Sequence, residues 1–173
     1  MPTIFISRNL KEGSPLQKWA AQTGWEVIGQ SLINFATVQF EPPNEGEADW
    51  WFFYSPRAVE FAADYLLRQS KRVKLAAMGP GTALALREHG GEFTPDFVGE
   101  GSPGEVAKAF EKMASGQTVF FPRARQSRLT VQTLLQEVIT VQDAICYDNV
   151  AVPVAKPIVA DVYVFTSPLN VAA

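Results

Sequence analysis

The chain of 173 residues has only one cysteine, Cys146, and only one histidine, His89. A single cysteine cannot form an intrachain disulfide, and one cysteine with one histidine is too few for a zinc site or a cysteine–histidine catalytic pair. We therefore expect no zinc site and no cysteine–histidine site. Cys146 lies inside a predicted strand, where a role in the core is expected. His89 lies at a predicted helix end, where a cation is simply stabilising.

A marked excess of charge of either sign is also absent. The 15 basic and 18 acidic residues leave a net charge of −3, which gives no argument for a nucleic acid or an anionic membrane as partner. No apolar run approaches the ~18 to 20 residues of a membrane span, and Met1 leads into a short strand and not into a signal peptide. We expect a cytoplasmic protein that binds neither nucleic acid nor membrane.

One strand–turn–helix unit occurs twice, as DWWFFYSPRAVEF at residues 49–61 and as DVYVFTSPLNVAA at residues 161–173. In the first copy the aromatic run predicts a buried strand, Ser55 suits a helix N-cap, and Pro56 suits the first helical position. The free backbone N–H groups of such a turn suit a carboxylate or phosphate, although an ordinary helix cap is the alternative. A repeated unit of this size suggests two similar halves.

Strands and helices alternate five times between residues 49 and 147, and a hydrophobic content of 47% is enough for a core. This alternation predicts a parallel α/β sheet with helices on both faces. A capping box of Ser102 and Glu105 opens one of the helices. The predicted strands are 50–54, 72–78, 93–98, 118–121 and 141–147. The first three predicted helices run from Pro56 to about 69, from about Ala83 to Gly90 and from Ser102 to about Gly116, and the third is expected to bury Val106, Phe110 and Met113. A fourth helix is expected to carry Val131, Leu134, Leu135 and Val138 on one face.

Outside this block the sequence predicts fragments of a second domain. They comprise a strand at residues 3–6, a helix opened by Ser14 and Pro15 and closed by Gly24, and a strand at residues 26–29. Residues 31–40 and 148–155 are extended in character and suit two linkers. We predict one domain at 38–149, inserted into a domain formed by 1–37 plus 150–173. Since the second copy of the repeat stops at Ala173, we expect this outer domain to be incomplete and the natural chain to be longer.

Four segments follow predicted strands of the inserted domain, where an open parallel sheet forms its ligand crevice. They are residues 55–57, 79–82, 101–104 and 122–128. The Gly79-Pro80-Gly81-Thr82 run resembles half of a dinucleotide fingerprint but lacks its last glycine. We interpret it as a glycine turn in which Thr82 caps a helix and could offer its hydroxyl to a ligand; a nucleotide site is the alternative.

The triplet Arg123, Arg125 and Arg128 can hold several carboxylates in bidentate fashion, and a solvated basic loop is the alternative. Tyr147 is predicted to end the last strand at the domain junction, either as a boundary aromatic or with its hydroxyl facing an interdomain cleft. The sequence contains no nucleophile–base pair and no paired-carboxylate motif. An enzyme built this way would act mainly by positioning a reactive substrate.

Several stretches together resemble the uroporphyrinogen-III synthase family, and they follow the family's order over most of the chain. The stretches are FFYSPRAVEF at 52–61, AAMGPGTALALREHG at 76–90, PDFVGEGSPGEVAKAF at 95–110, VFFPRARQSR at 119–128, ICYDNV at 145–150 and VFTSPLNVAA at 164–173. The resemblance implies two flavodoxin-like, parallel-sheet α/β domains joined by two extended linkers, one domain being inserted in the other.

The resemblance also implies a lyase of porphyrin and haem biosynthesis. Such an enzyme cyclises hydroxymethylbilane to uroporphyrinogen III with inversion of ring D, needs no metal or cofactor, and is expected to act as a monomer on this small-molecule substrate. Tyr147 aligns with a family tyrosine proposed to assist loss of the hydroxyl. The turns around Ser55, Thr82 and residues 166–168 align with ligand-facing loops. The predicted substrate-binding residues are Ser55, Pro56, Arg57, Gly81, Thr82, Arg123, Arg125, Arg128, Thr166 and Ser167.

Two features depart from the family pattern. Tyr54 stands where the family often has threonine, and the family continues past the second Ser-Pro helix with elements that are missing here. We therefore expect little or no synthase activity from a polypeptide that ends at Ala173. A non-catalytic anion- or tetrapyrrole-binding module of the same fold, and a nucleotide-binding enzyme that uses residues 79–82, are the alternative functions.

Overall fold

A computed structural model describes residues 1–68, 73–89, 91, 93–154 and 156–172. Strands and helices alternate along the chain, so the predicted α/β fold is confirmed. The strands are β1 (Thr3–Ile6), β2 (Glu26–Gly29), β3 (Ile33–Thr37), β4 (Trp50–Phe53), β5 (Lys74–Ala77), β6 (Phe97–Val98), β7 (Thr118–Ala124), β8 (Thr140–Ala151) and β9 (Val162–Val164). The helices are α1 (Pro15–Thr23), α2 (Pro56–Ala62) with a 3₁₀ helix at Ala63–Arg68, α3 (Pro80–Glu88), α4 (Pro103–Ala114), α5 (Thr130–Leu135) and α6 (Leu169–Ala172).

The chain divides into two compact units. Unit 1 comprises Met1–Ala36 with Asn149–Ala173, and unit 2 comprises Thr37–Asp148. In unit 1, β1 pairs in parallel with β2 on one side and with β9 on the other. The larger sheet has the strand order β3-β8-β7-β4-β5-β6, in which β4, β5, β6, β7 and β8 run parallel. The insertion of a domain at 38–149 into an incomplete outer domain stays a prediction.

The core of unit 2 lies on both faces of β4, whose four residues are all buried. Successive side chains of a strand point to opposite faces of the sheet, and β4 is apolar on both. Trp51 and Phe53 pack in one cluster with residues of α2 and α3, and Trp50 and Phe52 pack in a second cluster with residues of α4 and α5. Helices therefore cover both faces of this sheet, as the alternation predicts.

The capping box predicted at Ser102 and Glu105 and the helix end predicted at Gly24 are both present. Ser102 Oγ accepts from the backbone N–H of Glu105 at 3.4 Å, and Glu105 Oε2 accepts from the backbone N–H of Ser102 at 2.7 Å. This capping box opens α4, as predicted. Gly24 ends α1 with a φ of 73°, in the left-handed region that glycine adopts without strain.

Two predicted core residues are exposed instead. Met113 is 44% exposed and Leu134 is 57% exposed. In α4 the buried face is carried by Val106, Ala107, Phe110 and Ala114, which turns Met113 away from the sheet. Helix α5 is only six residues long, so Val131 and Leu135, four residues apart, suffice to bury one face of it.

Some element bounds also differ from prediction. The strand expected at 93–98 is only Phe97–Val98, since Pro95 has no N–H to donate to a ladder. The strand expected from residue 72 is Lys74–Ala77. Residues 69–72 and the predicted helix end at Gly90 lie outside the described residues.

Each copy of the repeat makes the same pair of hydrogen bonds with a neighbouring strand, one through the carboxylate of its aspartate and one through the backbone N–H of that aspartate. In the first copy Asp49 accepts from the N–H of Thr118 at 2.8 Å, and its own N–H donates to the Thr118 carbonyl at 2.9 Å. In the second copy Asp161 accepts from the N–H of Thr3 at 2.7 Å and donates back at 2.9 Å. Each threonine is the first residue of the adjacent parallel strand. The two copies therefore share their hydrogen bonds with the neighbouring strand as well as their sequence.

Candidate functional site

The predicted site segments of unit 2 follow the ends of neighbouring parallel strands. Residues 55–57 follow β4, residues 79–82 follow β5, residues 101–104 follow β6, and Arg125 begins the segment after β7. Because the strands are parallel, these ends lie at one edge of the sheet, where ligands of open α/β folds bind. The candidate site therefore lies at this edge.

Ser55 and Tyr147 meet at this edge. Ser55 caps α2, and its hydroxyl accepts from the backbone N–H of Ala58 at 3.1 Å. The same hydroxyl lies 3.3 Å from the phenol oxygen of Tyr147. Pro56 is the first residue of α2, as predicted. The Ser55 turn thus caps a helix and positions a phenol at the same time.

Tyr147 is 7% exposed, and its ring stacks on Phe61 with centroids 5.2 Å apart and an interplanar angle of 16°. Burial raises the pKa of the Tyr147 phenol above its ordinary value of 10.0, while the hydrogen bond with Ser55 and the charge of Arg57 lower it. The phenol is therefore neutral at physiological pH and keeps its O–H proton. A neutral, held phenol can donate a hydrogen bond or a proton to a leaving group.

The prediction that Tyr147 ends the last strand is wrong, because β8 runs on to Ala151. The Val38 N–H donates to the Cys146 carbonyl at 3.0 Å, and the Val152 N–H donates to the Leu32 carbonyl at 2.8 Å. These bonds to the segment at 32–38 continue the strand past Tyr147.

The segment at 79–82 is a helix start and not a loop. Gly79 is the N-cap of α3 and Pro80 its first residue, so Thr82 lies within the first turn, and the prediction that Thr82 caps the helix is wrong. Because proline favours the first helical position, the helix begins at Pro80 and not near Ala83 as predicted. Thr82 is 4% exposed, and Gly81 is exposed with open space where a Cβ would stand. The crowded glycines of a dinucleotide fingerprint have no counterpart at Gly79 and Gly81.

Arg123 lies in β7 and not in a loop, so the predicted loop at 122–128 is wrong for its first residues. Strand β7 continues because residues as far as Ala124 still pair with β8. The Nε of Arg123 donates to Oδ2 of Asp143 at 2.6 Å, and Gln132 Nε2 donates to the same oxygen at 3.0 Å. Arg123 therefore already holds a carboxylate of the chain itself.

Two of the other three predicted arginines also pair with carboxylates of the chain. Arg125 Nε donates to Asp148 Oδ2 at 2.5 Å, and Gln126 Nε2 donates to Asp148 Oδ1 at 2.7 Å. Arg57 pairs with Glu60 along α2. Arg128 is exposed and has no carboxylate within ion-pair distance among residues 1–68, 73–89, 91, 93–154 and 156–172. A ligand carboxylate at Arg57, Arg123 or Arg125 would have to compete with an internal partner.

In unit 1, the second copy of the turn uses its hydroxyls internally. The Thr166 hydroxyl donates to the Ser7 carbonyl at 3.1 Å, and the Thr166 N–H donates to the Ser7 hydroxyl at 2.9 Å. Ser167 accepts from the Asn170 side-chain amide at 3.0 Å. Ser7 is buried. These bonds join the ends of β1 and β9, so Thr166 and Ser167 hold the turn together.

Tyr54, which occupies the place of a family threonine, does not disturb the first turn. Its phenol oxygen accepts from the backbone N–H of Gln132 at 3.1 Å, so it anchors the start of α5. Burial raises the pKa of Tyr54 to about 12, against smaller lowering effects from the backbone of α5 and from Arg123. Ser55 keeps its capping role beside it.

Sequence patterns missed the partners that neutralise this edge, above all Asp143 and Asp148. Asp148 follows the buried Cys146 and Tyr147 within β8, at a position where a charge is unusual, and this signal could have found it. Asp143 follows Gln142 and carries no such signal. No group of three or more histidine, cysteine, aspartate or glutamate side chains suited to a metal ion occurs in the described part of the chain. No described helix is long and apolar enough to cross a membrane.

A family model described as uroporphyrinogen-III synthase HemD matches residues 14–173. The chain belongs to the uroporphyrinogen-III synthase family. The resemblance of its sequence motifs to that family is confirmed. No curated protein matches the chain.

Two solved structures of this family have the same fold. The uroporphyrinogen-III synthetase of Helicobacter pylori is 17% identical with a TM-score of 0.62, and the match covers 90% of this chain and 65% of that one. A mutant uroporphyrinogen III synthase of Thermus thermophilus is 14% identical with a TM-score of 0.56, and the match covers 88% of this chain and 64% of that one. The chain thus spans just under two thirds of the length of these synthases.

Proposed function

We propose that this chain acts in the uroporphyrinogen-III synthase reaction, in which hydroxymethylbilane is closed to uroporphyrinogen III with inversion of ring D. Membership of the family supports this assignment. The observation that carries it is the pair formed by Ser55 and Tyr147, 3.3 Å apart between their hydroxyl oxygens, at the carboxyl edge of the parallel sheet. We further propose that the two units are two domains, and that the protein is a cytoplasmic monomer.

In this proposal Tyr147 assists departure of the substrate hydroxyl. A hydroxyl leaves as water only after it gains a proton or a strong hydrogen bond, and a neutral phenol can supply either. Burial and stacking on Phe61 hold the Tyr147 ring, while Ser55 holds its oxygen. Such positioning is worth more here than strong acidity, because a linear tetrapyrrole cyclises readily and the enzyme must select one ring closure.

The substrate carboxylates are assigned to the helix starts at this edge. The backbone N–H groups at the starts of α2 and α3 suit carboxylates, as do the side chains of Arg57, Arg123, Arg125 and Arg128. The hydroxyls of Ser55 and Thr82, with Pro56 and Gly81, complete the proposed substrate-binding set of unit 2. The turn at Thr166 and Ser167 is proposed separately as a substrate-binding segment of unit 1. No nucleic acid and no cofactor take part in this scheme.

The experiment is a comparison of isomer formation by the 173-residue chain and its Tyr147→Phe variant. Isomer III formed from hydroxymethylbilane is separated from the spontaneously formed isomer I, and binding of uroporphyrin is followed by fluorescence. We expect the unaltered chain to form isomer III slowly but measurably, and Tyr147→Phe to lower that rate about 10²-fold or more with little change in binding. Tyr65→Phe is the matched control, since the ring of Tyr65 packs on Phe40 and Tyr65 is not the hydrogen-bond partner of the Ser55 hydroxyl.

Two results would contradict the proposal. Binding of uroporphyrin with isomer I as the sole product favours a non-catalytic tetrapyrrole-binding module. Stabilisation by a nucleotide and not by uroporphyrin favours the nucleotide-binding alternative at residues 79–82.

A further inference from the structure

A second internal correspondence joins the two units. The β1–α1–β2 segment of unit 1 matches the β7–α5–β8 segment of unit 2, because the strand order β2-β1-β9 parallels β8-β7-β4. The sequences TIFISR at 3–8 and TVFFPR at 118–123 share threonine, phenylalanine and arginine at matching places. Thr3 and Thr118 also make the same two hydrogen bonds with the aspartates of the repeat. Arg8 in unit 1 therefore corresponds to Arg123 in unit 2.

The two arginines differ in their counter-ion. In unit 2, Asp143 stands opposite Phe121 in the strand register and pairs with Arg123. In unit 1, the equivalent position opposite Ile6 is Gly29. A Cβ at Gly29 would lie 2.5 Å from Leu10 Cγ and 3.0 Å from the Arg8 carbonyl oxygen, so no larger side chain fits there without movement of Leu10. The carboxylate that neutralises Arg123 thus has no equivalent beside Arg8.

Arg8 lines a small pocket together with Asn9, Leu10, Lys11 and Ser14. Neither Arg8 nor Lys11 has an ion-pair partner among the residues that the structure describes. Asn9 is held in place, since its Oδ1 accepts from the backbone N–H of Ser31 at 3.0 Å. Helix α1 begins at Pro15 beside the pocket and has no acidic residue in its first turn, so its partial positive charge adds to that of Arg8 and Lys11.

The pocket volume of 280 Å³ limits what the pocket can hold. Sites that enclose whole drug-sized ligands span roughly 300–1,000 Å³, and a pocket at the lower end of this range has room for a carboxylate arm. A guanidinium binds a carboxylate through two parallel hydrogen bonds, and a nearby ammonium adds a point charge. A solvated basic loop is the alternative. It does not explain why Arg123 of unit 2 has a carboxylate at the paired strand position while the equivalent position for Arg8 of unit 1 is a glycine.

We propose that Arg8 and Lys11 bind a carboxylate arm of the tetrapyrrole ligand, as a subsite in unit 1 that the sequence did not reveal. The choice of a tetrapyrrole rests on the proposed function; the binding of a carboxylate rests on the pocket itself. The equivalent arginine of unit 2 keeps its carboxylate in the chain, whereas Arg8 takes its carboxylate from the ligand.

The test uses the 173-residue chain and two probes. One probe is uroporphyrin III, which carries the carboxylate arms on a tetrapyrrole, and the other is benzene-1,3,5-tricarboxylate, which carries carboxylates alone. Affinities are measured for the double variant Arg8→Gln, Lys11→Gln, with backbone amide NMR shifts of residues 8–14 as the locator. Lys18→Gln, Lys156→Gln is the matched control, because it removes two exposed positive charges of unit 1 that do not line the pocket.

We expect the pocket variant to weaken the binding of both probes about tenfold and the control to change it less than about twofold. Equal losses in the two variants, or no shift of the amides of residues 8–14, would overturn the subsite. Binding of the tricarboxylate at these amides without binding of uroporphyrin would keep the carboxylate site and contradict the proposed function. Failure of both probes to bind would overturn the subsite.

Discussion

Arg123 and Asp143 form an ion pair across two parallel strands, with Nε of the guanidinium 2.6 Å from Oδ2 of the carboxylate. The side chains are 15% and 28% exposed, and Gln132 donates to the same carboxylate oxygen. A charge-assisted bond with a third partner, partly shielded from water, is stronger than an isolated surface salt bridge. The pair thus stabilises the sheet edge where the ligand is proposed to bind.

Replacement of Asp143 by alanine is expected to lower the free energy of unfolding by about 1–3 kcal/mol, because Arg123 and Gln132 then lose their acceptor. Urea denaturation measures the change. Glu60→Ala is the matched control, since the pair of Glu60 with Arg57 is exposed and worth at most about 1 kcal/mol. A cost for Asp143→Ala no larger than the cost for Glu60→Ala would contradict the prediction.

The same carboxylate predicts a dependence of stability on pH. Burial raises the pKa of Asp143, but the hydrogen bonds from Arg123 and Gln132 and the charge of Arg123 lower it more, so the pKa lies below its ordinary value of 3.8. A group with a lowered pKa in the folded state stabilises the fold above its unfolded pKa, and this contribution is lost as the pH falls through the folded pKa.

We therefore expect the unfolding free energy to fall below about pH 4 more steeply for the unaltered chain than for Asp143→Asn, which has no titrating group at this position. Denaturation curves between about pH 2 and pH 6 measure the difference. Parallel curves for the two proteins over this range would show that Asp143 does not titrate as proposed.

Ser55→Ala should alter Tyr147 as well as α2. The hydrogen bond with Ser55 lowers the pKa of the Tyr147 phenol, so its loss should raise that pKa further. The missing cap should also cost about 1 kcal/mol of stability. Titration of the Tyr147 ring by ¹³C NMR and urea denaturation measure the two effects.

Ser102→Ala is the control for this variant, because Ser102 caps α4 by the same kind of bond and has no hydrogen bond with Tyr147. It should cost similar stability and leave the titration of Tyr147 unchanged. If both variants move the pKa of Tyr147 equally, the effect comes from general loosening of the fold and not from the Ser55 hydroxyl.

Cys146 should be unreactive in the folded chain. It is fully buried, burial raises the pKa of its thiol to about 12, and the thiol donates to the Arg123 carbonyl at 3.4 Å. Since the thiolate is the reacting form, alkylation by iodoacetamide at about pH 8 should be slower by about two orders of magnitude or more than in the same chain unfolded in guanidinium. Similar rates with and without denaturant would contradict the buried position of Cys146.

The local structure of this chain could be predicted because its signals lie within a few residues of each other. The aromatic run of β4, the cap at Ser55 and the capping box of Ser102 and Glu105 each act through neighbouring backbone groups. The family and the parallel α/β fold followed from such units and their order. Helix faces were less certain, as Met113 and Leu134 show, because burial depends on the angle at which a helix meets the sheet.

Which arginines of the site are paired with a carboxylate depends on the tertiary structure alone. Arg123 and Asp143 are 20 residues apart, and they meet because β7 and β8 pair in one particular register. The corresponding register places Gly29 opposite Ile6 in unit 1, and Arg8 has no carboxylate partner among the residues that the structure describes. The sequence by itself determined which segments are strands, turns and helices; strand pairing determined which cations are neutralised, since a one-residue slip would turn every partner to the opposite face.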